Sequence, residues 1–185
     1  MRTRVRPLTP PLKPLSCVLA LVGLCSAAAA GQTLRVYHVD VEQGASTLFV
    51  APGGRTLLVD SSKNGHGSRI GAVMQEAGVS RIDVFVATHY HEDHFGGIDD
   101  LVDLNVPVLE AYDRGDKDFV PASKKQQATW RGYLRTVGED AIHLQRGDPI
   151  ALDPLLAVTC IGSGGVVIGE TNPTPAPLSG RVRLA

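Results

Sequence analysis

Apolar and polar residues alternate or cluster along this chain in a way that changes period several times. Leu34 to Val41, "LRVYHVDV", is rich in β-branched and aromatic residues and predicts a strand. Ser46 to Val50 predicts a second strand and Thr56 to Asp60 a third, with "APGG" between them as a turn, so the pair is expected to form a hairpin. The period then lengthens. Ile70, Val73, Met74 and Ala77 are spaced for one face of a helix, with Ser68 as its expected cap and Gly78 as its end. Ile82 to Thr88, "IDVFVAT", is nearly continuous apolar sequence, as expected for a strand covered on both faces. A short helix is expected from Ile98 to Leu104. Ser123 and Gln126 have the spacing of a capping box before a helix that buries Trp130, Tyr133, Leu134 and Val137. Further strands are predicted near 141–145, 149–152 and 155–161. No internal repeat is visible.

The two ends break this pattern. Arg2, Arg4, Arg6 and Lys13 form a basic stretch without an acid, Leu15 to Cys25 is an apolar run, and Ser26 to Ala30 are small. Basic, apolar, small is the order of a secretory signal peptide. The apolar run is too short for an ordinary transmembrane helix. Residues 1–30 are therefore expected to be a cleaved leader and residues 31–165 the folded domain, secreted or periplasmic, with no lasting membrane insertion. Residues 166–185 are expected to be an irregular tail, since "TNPTPAPLSGRVRLA" has three prolines and no apolar period.

Charge and cysteine content narrow the classes. Removing residues 1–30 takes away four of the 18 basic residues and none of the 19 acidic ones, leaving a net charge of −5. That balance argues against a nucleic-acid partner, which ordinarily meets a basic stripe. Of the three cysteines only Cys160 remains, so no internal disulfide is possible and the core must hold by packing.

The candidate chemistry lies in "THYHEDHFGG", residues 88–97. Half of the six histidines of the chain fall between His89 and His94, with Glu92 and Asp93 among them. His89 and His91 are two residues apart, so an extended backbone points both rings one way. Asp93 and His94 follow on the next turn. Imidazole and carboxylate suit zinc or a similar borderline metal. Gly96 and Gly97 are expected to let the chain turn tightly. A loop that follows a buried strand and is this dense in ligand types reads as a metal site rather than as a solvated loop.

"HYHEDHFGG" resembles the His-x-His-x-Asp-His signature of the metallo-β-lactamase superfamily. "GGRTLLVDSS" is similar to the family's earlier strand ending in aspartate, here Asp60. "VDVEQGASTLFVAPGG" resembles the opening of the exported, competence-related (ComEC-like) branch; Asp40, Val41, Gln43, Gly44 and Ser46 match its wording, whereas Glu42 and Ala45 depart from it. The resemblance runs from about residue 33 to about residue 160.

The resemblance implies an α/β fold, the αββα sandwich, of which this chain carries the amino-terminal half and the start of the second half. It implies a two-zinc hydrolase acting through a metal-bound hydroxide. His89 and His91 would hold the first ion, Asp93 and His94 the second, and Asp60 would orient the loop without binding metal. Small-molecule or phosphodiester substrates are implied, with a nuclease role the less favoured option at a charge of −5. The family also uses a later bridging aspartate and a later histidine. Here the only later histidine is His143, whose surroundings read as an ordinary strand. Asp148 and Asp153, the last aspartates, read as turn residues. His38 reads as a core histidine and His66 as a loop residue that could reach the site. Glu92 is expected to face solvent, Lys124 and Lys125 to be a solvated helix start, and Tyr90 to pack or to line a pocket. Two expectations stand side by side: a truncated exported hydrolase, or a catalytically incompetent chain that binds metal weakly.

Overall fold

The computed structural model describes residues 33–115, 119–138, 141–164 and 166–169. The predicted leader and most of the Pro-rich tail lie outside the described residues. Six strands form one sheet in sequence order: β1 (Arg35–His38), β2 (Thr47–Val50), β3 (Thr56–Val59), β4 (Val84–Val86), β5 (Ala111–Asp113) and β6 (Ile142–His143). The first three run antiparallel, as the turn signal at 51–54 requires. From β3 to β6 the pairing is parallel, and each crossover carries helix. These are α1 (Gly67–Ala77), then α2 (Glu92–Phe95) with α3 (Ile98–Asp103), then α4 (Lys124–Val137).

Strand alternation divides the sheet into two faces. Leu48, Leu58, Phe85 and Ala111 are partners across the sheet and lie under the helices with Ile70, Met74, Ile98, Leu101 and Tyr133. Phe49, Leu57 and Val84 form the opposite row. Against that second face lies one hairpin, β7 (Pro149–Asp153) and β8 (Leu156–Thr159), which buries Ile150 and Leu152 against Leu57, Val84 and Tyr112. The β2–β3 turn clips this layer on: the Gly53 N–H donates to Asp153 at 2.8 Å, and Arg55 donates to the Ala151 carbonyl at 2.6 Å. A single hairpin does not cover the face. A cavity of about 330 Å³ lies between the layers, lined by Leu34, Phe49, Val59, Leu156 and Val158 among others. Helices, sheet and the first strands of a second layer make up the first half of the expected sandwich and the beginning of the second.

Several expectations need correction. Ser68 does not cap α1. The helix begins at Gly67 after His66, and the N–H groups of Gly65 and of buried Gly67 donate instead to Asp100 of α3 at 2.6 and 3.0 Å. A Cβ at Gly67 would overlap Asp100, so a long-range contact sets this helix start. Gly78 closes α1 in the left-handed conformation as expected, with φ 72°. Ser123 accepts from Gln126 N–H as a cap, but Gln126 reaches back to Ala122 rather than to Ser123. The α4 residues Trp130, Leu134 and Val137 are only partly buried, while Tyr133 is fully so. The strands are shorter than the apolar runs that announced them. β5 was not expected at all: three residues give too little alternation, and burial between two neighbours makes them a strand. Val166–Val167 is also a strand, β10, paired with β9 (Gly162–Ser163), so the first residues assigned to the tail are ordered.

Candidate metal centre

The parallel strands β3 to β6 all end at one edge of the sheet, and the histidine loop begins there. After β4, the Thr88 N–H donates to Asp60 at 2.8 Å and its hydroxyl donates to the other Asp60 oxygen at 2.8 Å. Asp60 ends β3 in the left-handed region at φ 59° and is 1% exposed. His94 Nδ1 lies 2.7 Å from the same carboxylate. A carboxylate only accepts, so the Nδ1 proton belongs to His94 and Nε2 is its open nitrogen. His89 Nδ1 lies 3.1 Å from the Thr88 hydroxyl, which leaves His89 with Nε2 open as well.

The local backbone then gathers the rings. His91 is extended (φ −80°, ψ 138°) and precedes the single turn of α2, which carries Asp93 and His94. The His89 ring centroid is 4.7 Å from that of His91 and 4.0 Å from that of His94. Phe95 and Tyr90 are buried and anchor the loop from below. Tyr90 sits 4.8 Å from Trp130 and 5.1 Å from Phe119 by ring centroid, so its ring packs in the aromatic cluster, as expected. Arg114 lies over the Tyr90 ring at 5.7 Å. Gly96 and Gly97 form the two-residue turn between α2 and α3, as expected, but with ordinary negative φ. They are small because backbone passes close by: a Cβ at Gly96 would press on Asn64 N, and one at Gly97 on the Ser61 carbonyl.

Two neighbouring segments clamp the loop. The Ala45 N–H donates to the Asp93 carbonyl at 3.2 Å, and the Ser61 N–H donates to the His94 carbonyl at 2.6 Å. Gly44 adopts φ 89°, and any Cβ there would overlap the Asp93 carbonyl oxygen. The "EQGAS" stretch therefore supports the histidine loop without supplying a ligand.

The electrostatics of the site follow from this crowding. Burial, then the neighbouring His94 and His91, pushes His89 down to about 4. The hydrogen bond to Asp60 raises His94 above its ordinary value and outweighs its burial. The loop thus presents a neutral His89, the form that binds metal. Glu92 is not free in solvent: its carboxylate is 2.8 Å from Lys125 Nζ on α4, while Lys124 and Lys125 are themselves exposed at the helix start, as expected.

The remaining histidines are engaged elsewhere. His66 Nδ1 lies 3.1 Å from the Val41 carbonyl, and His38 Nδ1 is 3.3 Å from the Thr47 hydroxyl on an exposed strand, not in the core. His143 pairs with Asp113 at 2.7 Å, so it is more than an ordinary strand residue. Asp148 and Asp153 occupy turns, as expected, and accept from the backbone at Gln145 and Gly53. Among the described residues, no three His, Cys, Asp or Glu side chains are grouped as a ready metal cage.

Asp113 is the buried acid that the sequence reading missed. Burial pushes its carboxyl up, but hydrogen bonds from Tyr133, the Gly115 N–H, His143 and Tyr90 outweigh that and hold it below the usual range. Its only signal was positional: "EAYD", like "LLVD" before it, ends a short apolar run in aspartate.

Comparison with known proteins agrees with the motif. The profile of the metallo-beta-lactamase superfamily matches residues 39–185. A metal-dependent hydrolase of Cupriavidus necator is 26% identical over 159 residues, covering 75% of this chain and 55% of that protein. Among solved structures, a subclass B3 metallo-beta-lactamase from a soil metagenome (MEM-A1) is similar at TM-score 0.48 and 22% identity, covering 70% of this chain and 50% of that one. A metallo-beta-lactamase from Staphylococcus aureus gives TM-score 0.44 at 21% identity, covering 67% and 33% respectively. The chain spans 55% of its curated relative's length and half or less of these solved chains.

Proposed function

Because the chain belongs to the metallo-beta-lactamase superfamily, we propose that residues 88–94 form half of the metal centre of an exported metal-dependent hydrolase. His89 and His91 hold the first ion, Asp93 and His94 the second, and Asp60 fixes the tautomer and direction of His94. The observation that carries this reading is the gathering of three imidazoles with centroids 4.0 and 4.7 Å apart, one of them tied to a buried carboxylate. The nitrogen and oxygen donor set suits zinc. When bound, such ions supply an activated water and polarise the scissile carbonyl or phosphoryl group. The chain's own residues do the positioning. Thr88 couples His89 to Asp60, the Gly44–Ala45 segment holds Asp93, and the aromatic cluster under Tyr90 keeps the loop from collapsing into the helices.

Export is supported by the leader pattern of residues 1–30, and kinship with the competence-related branch by Asp40, Val41, Gln43, Gly44 and Ser46. The net charge of −5 favours a small-molecule or simple phosphodiester substrate over nucleic acid. Among the described residues, His38, His66 and His143 each have a different partner, and the second sheet layer is one hairpin. These 185 residues by themselves therefore bind zinc weakly, at one ion or fewer per chain, and turn over little substrate. Calorimetric titration with zinc, on the wild type and on His91→Ala, tests the first part. Weak binding that His91→Ala abolishes is expected. Two tightly held ions would mean that ligands have been overlooked, and binding indifferent to His91→Ala would place the metal elsewhere. Assays on a generic lactam and a generic phosphodiester with zinc test the second; robust turnover that vanishes in His91→Ala would refute the half-site reading.

A further inference from the structure

One cleft beside the histidine loop has a built interior that the metal reading does not use. It lies between the second half of α4 and the ends of β5 and β6, with a volume of about 300 Å³. Its walls are mixed: Trp130 and Tyr133, stacked with centroids 5.0 Å apart and planes 19° apart, make up the apolar half with Leu134 and Ala141. Gly138 contributes no side chain. Two polar side chains face in, Asp113 and His143.

Their hydrogen bonds decide what the cleft can take. Asp113 is 4% exposed, and both of its oxygens are occupied. Oδ1 accepts from the Gly115 N–H at 2.8 Å and from His143 Nδ1 at 2.7 Å, and Oδ2 accepts from the Tyr133 hydroxyl at 2.7 Å. With four donors on it, Tyr90 being the fourth, the carboxylate has little left for a cationic ligand. Since Asp113 accepts, His143 carries a proton on Nδ1, and Nε2 is its open nitrogen. Gly115, at φ 81°, lies beside the His143 ring, where an added Cβ would come to 3.5 Å from it. The histidine is oriented, half-exposed and unused by the metal loop.

We propose that this cleft binds a small planar aromatic ring bearing one hydrogen-bond donor, a phenol or an N–H heteroaromatic, with the donor received by His143 Nε2. Tyr133 is buried behind Trp130, and the part-exposed Trp130 ring is the aromatic surface that a planar ligand can meet. A volume at the low end for ligand pockets admits one or two fused rings. The proposal stands apart from the metal reading, although Trp130, which also touches Tyr90, places the cleft next to that loop.

Trp130 is the only tryptophan in the chain, so its indole resonances, with those of the His143 ring, report the cleft without ambiguity. The experiment is an NMR titration of the whole chain with three probes: phenol, toluene (no donor) and cyclohexanol (a donor without a flat ring). Phenol should shift both sets of resonances saturably, at least about tenfold tighter than either of the others, the value of roughly one hydrogen bond. His143→Ala should reduce phenol to the level of toluene. Ala141→Trp, which fills the cleft and leaves His143 intact, should abolish the response, and His91→Ala should leave it unchanged. Equal affinity for phenol and toluene, shifts that never saturate, or phenol binding that survives Ala141→Trp would overturn the proposal. Loss of the response in His91→Ala would also overturn it, by making the cleft part of the histidine loop.

Discussion

Asp60→Asn removes the charge that organises the histidine loop while keeping the size of the side chain. The carboxylate is 1% exposed and accepts from the Thr88 N–H at 2.8 Å, the Thr88 hydroxyl at 2.8 Å and His94 Nδ1 at 2.7 Å. An asparagine has one accepting oxygen, and its amide must point a donor at one of these donors. If the oxygen stays with Thr88 N–H, the amide faces His94 and the Thr88 hydroxyl. One charge-assisted hydrogen bond is lost and one buried donor is left facing another. The first costs about 1.5–3 kcal/mol and the second adds to it, so a loss of roughly 2–4 kcal/mol is expected. For a domain of this size that corresponds to about 6–15 °C in Tm. The effect on metal should be separable from the effect on stability. His94 loses the group that raises its pKa and fixes its tautomer, so its titration moves down and zinc affinity falls about 10–100-fold. Thermal melts by circular dichroism, the His94 ring resonance followed against pH, and calorimetry with zinc measure the three quantities. A variant that melts with the wild type and titrates unchanged at His94 would refute the role given to Asp60.

Gly44→Ala forces a Cβ into the Asp93 carbonyl oxygen at φ 89°; left-handed backbone alone costs alanine about 1–2 kcal/mol, and zinc affinity should fall with stability, whereas equal zinc affinity would show that the Gly44 segment does not hold the loop. Asp113 is held below the ordinary carboxyl range, so its contribution to stability is complete above the unfolded value and is lost as pH falls through the depressed folded one. Tyr133→Phe removes one donor that depresses it, so the acid-unfolding midpoint followed by circular dichroism should move to higher pH; an unchanged midpoint would contradict the network. Exported protein should begin close to Gly31, and amino-terminal sequencing that finds Met1 on secreted material would remove the leader from the account.

What the sequence determined by itself is what local chemistry encodes. The three antiparallel strands, the apolar strand β4, the turn at 51–54, the Gly78 helix end and the Ser123 cap all depend on neighbours within a few residues, and each was readable. So was the density of ligand types at 88–94, because spacing along an extended strand and one helical turn already gathers side chains. What only the tertiary structure decided depends on residues far apart in the chain. Asp100, not Ser68, satisfies the start of α1 from about 33 positions away. Gly96 and Gly97 do form the turn, but they must be small because Asn64 and Ser61 pass beside them, their φ being open to any residue. β5 is three residues that no periodicity announces, made a strand by parallel neighbours whose distance in sequence hides the pairing. Asp113 and His143, 30 residues apart, became a pair for the same reason: adjacent parallel strands end at one edge of the sheet, and a buried carboxylate there must find its donors wherever the fold brings them.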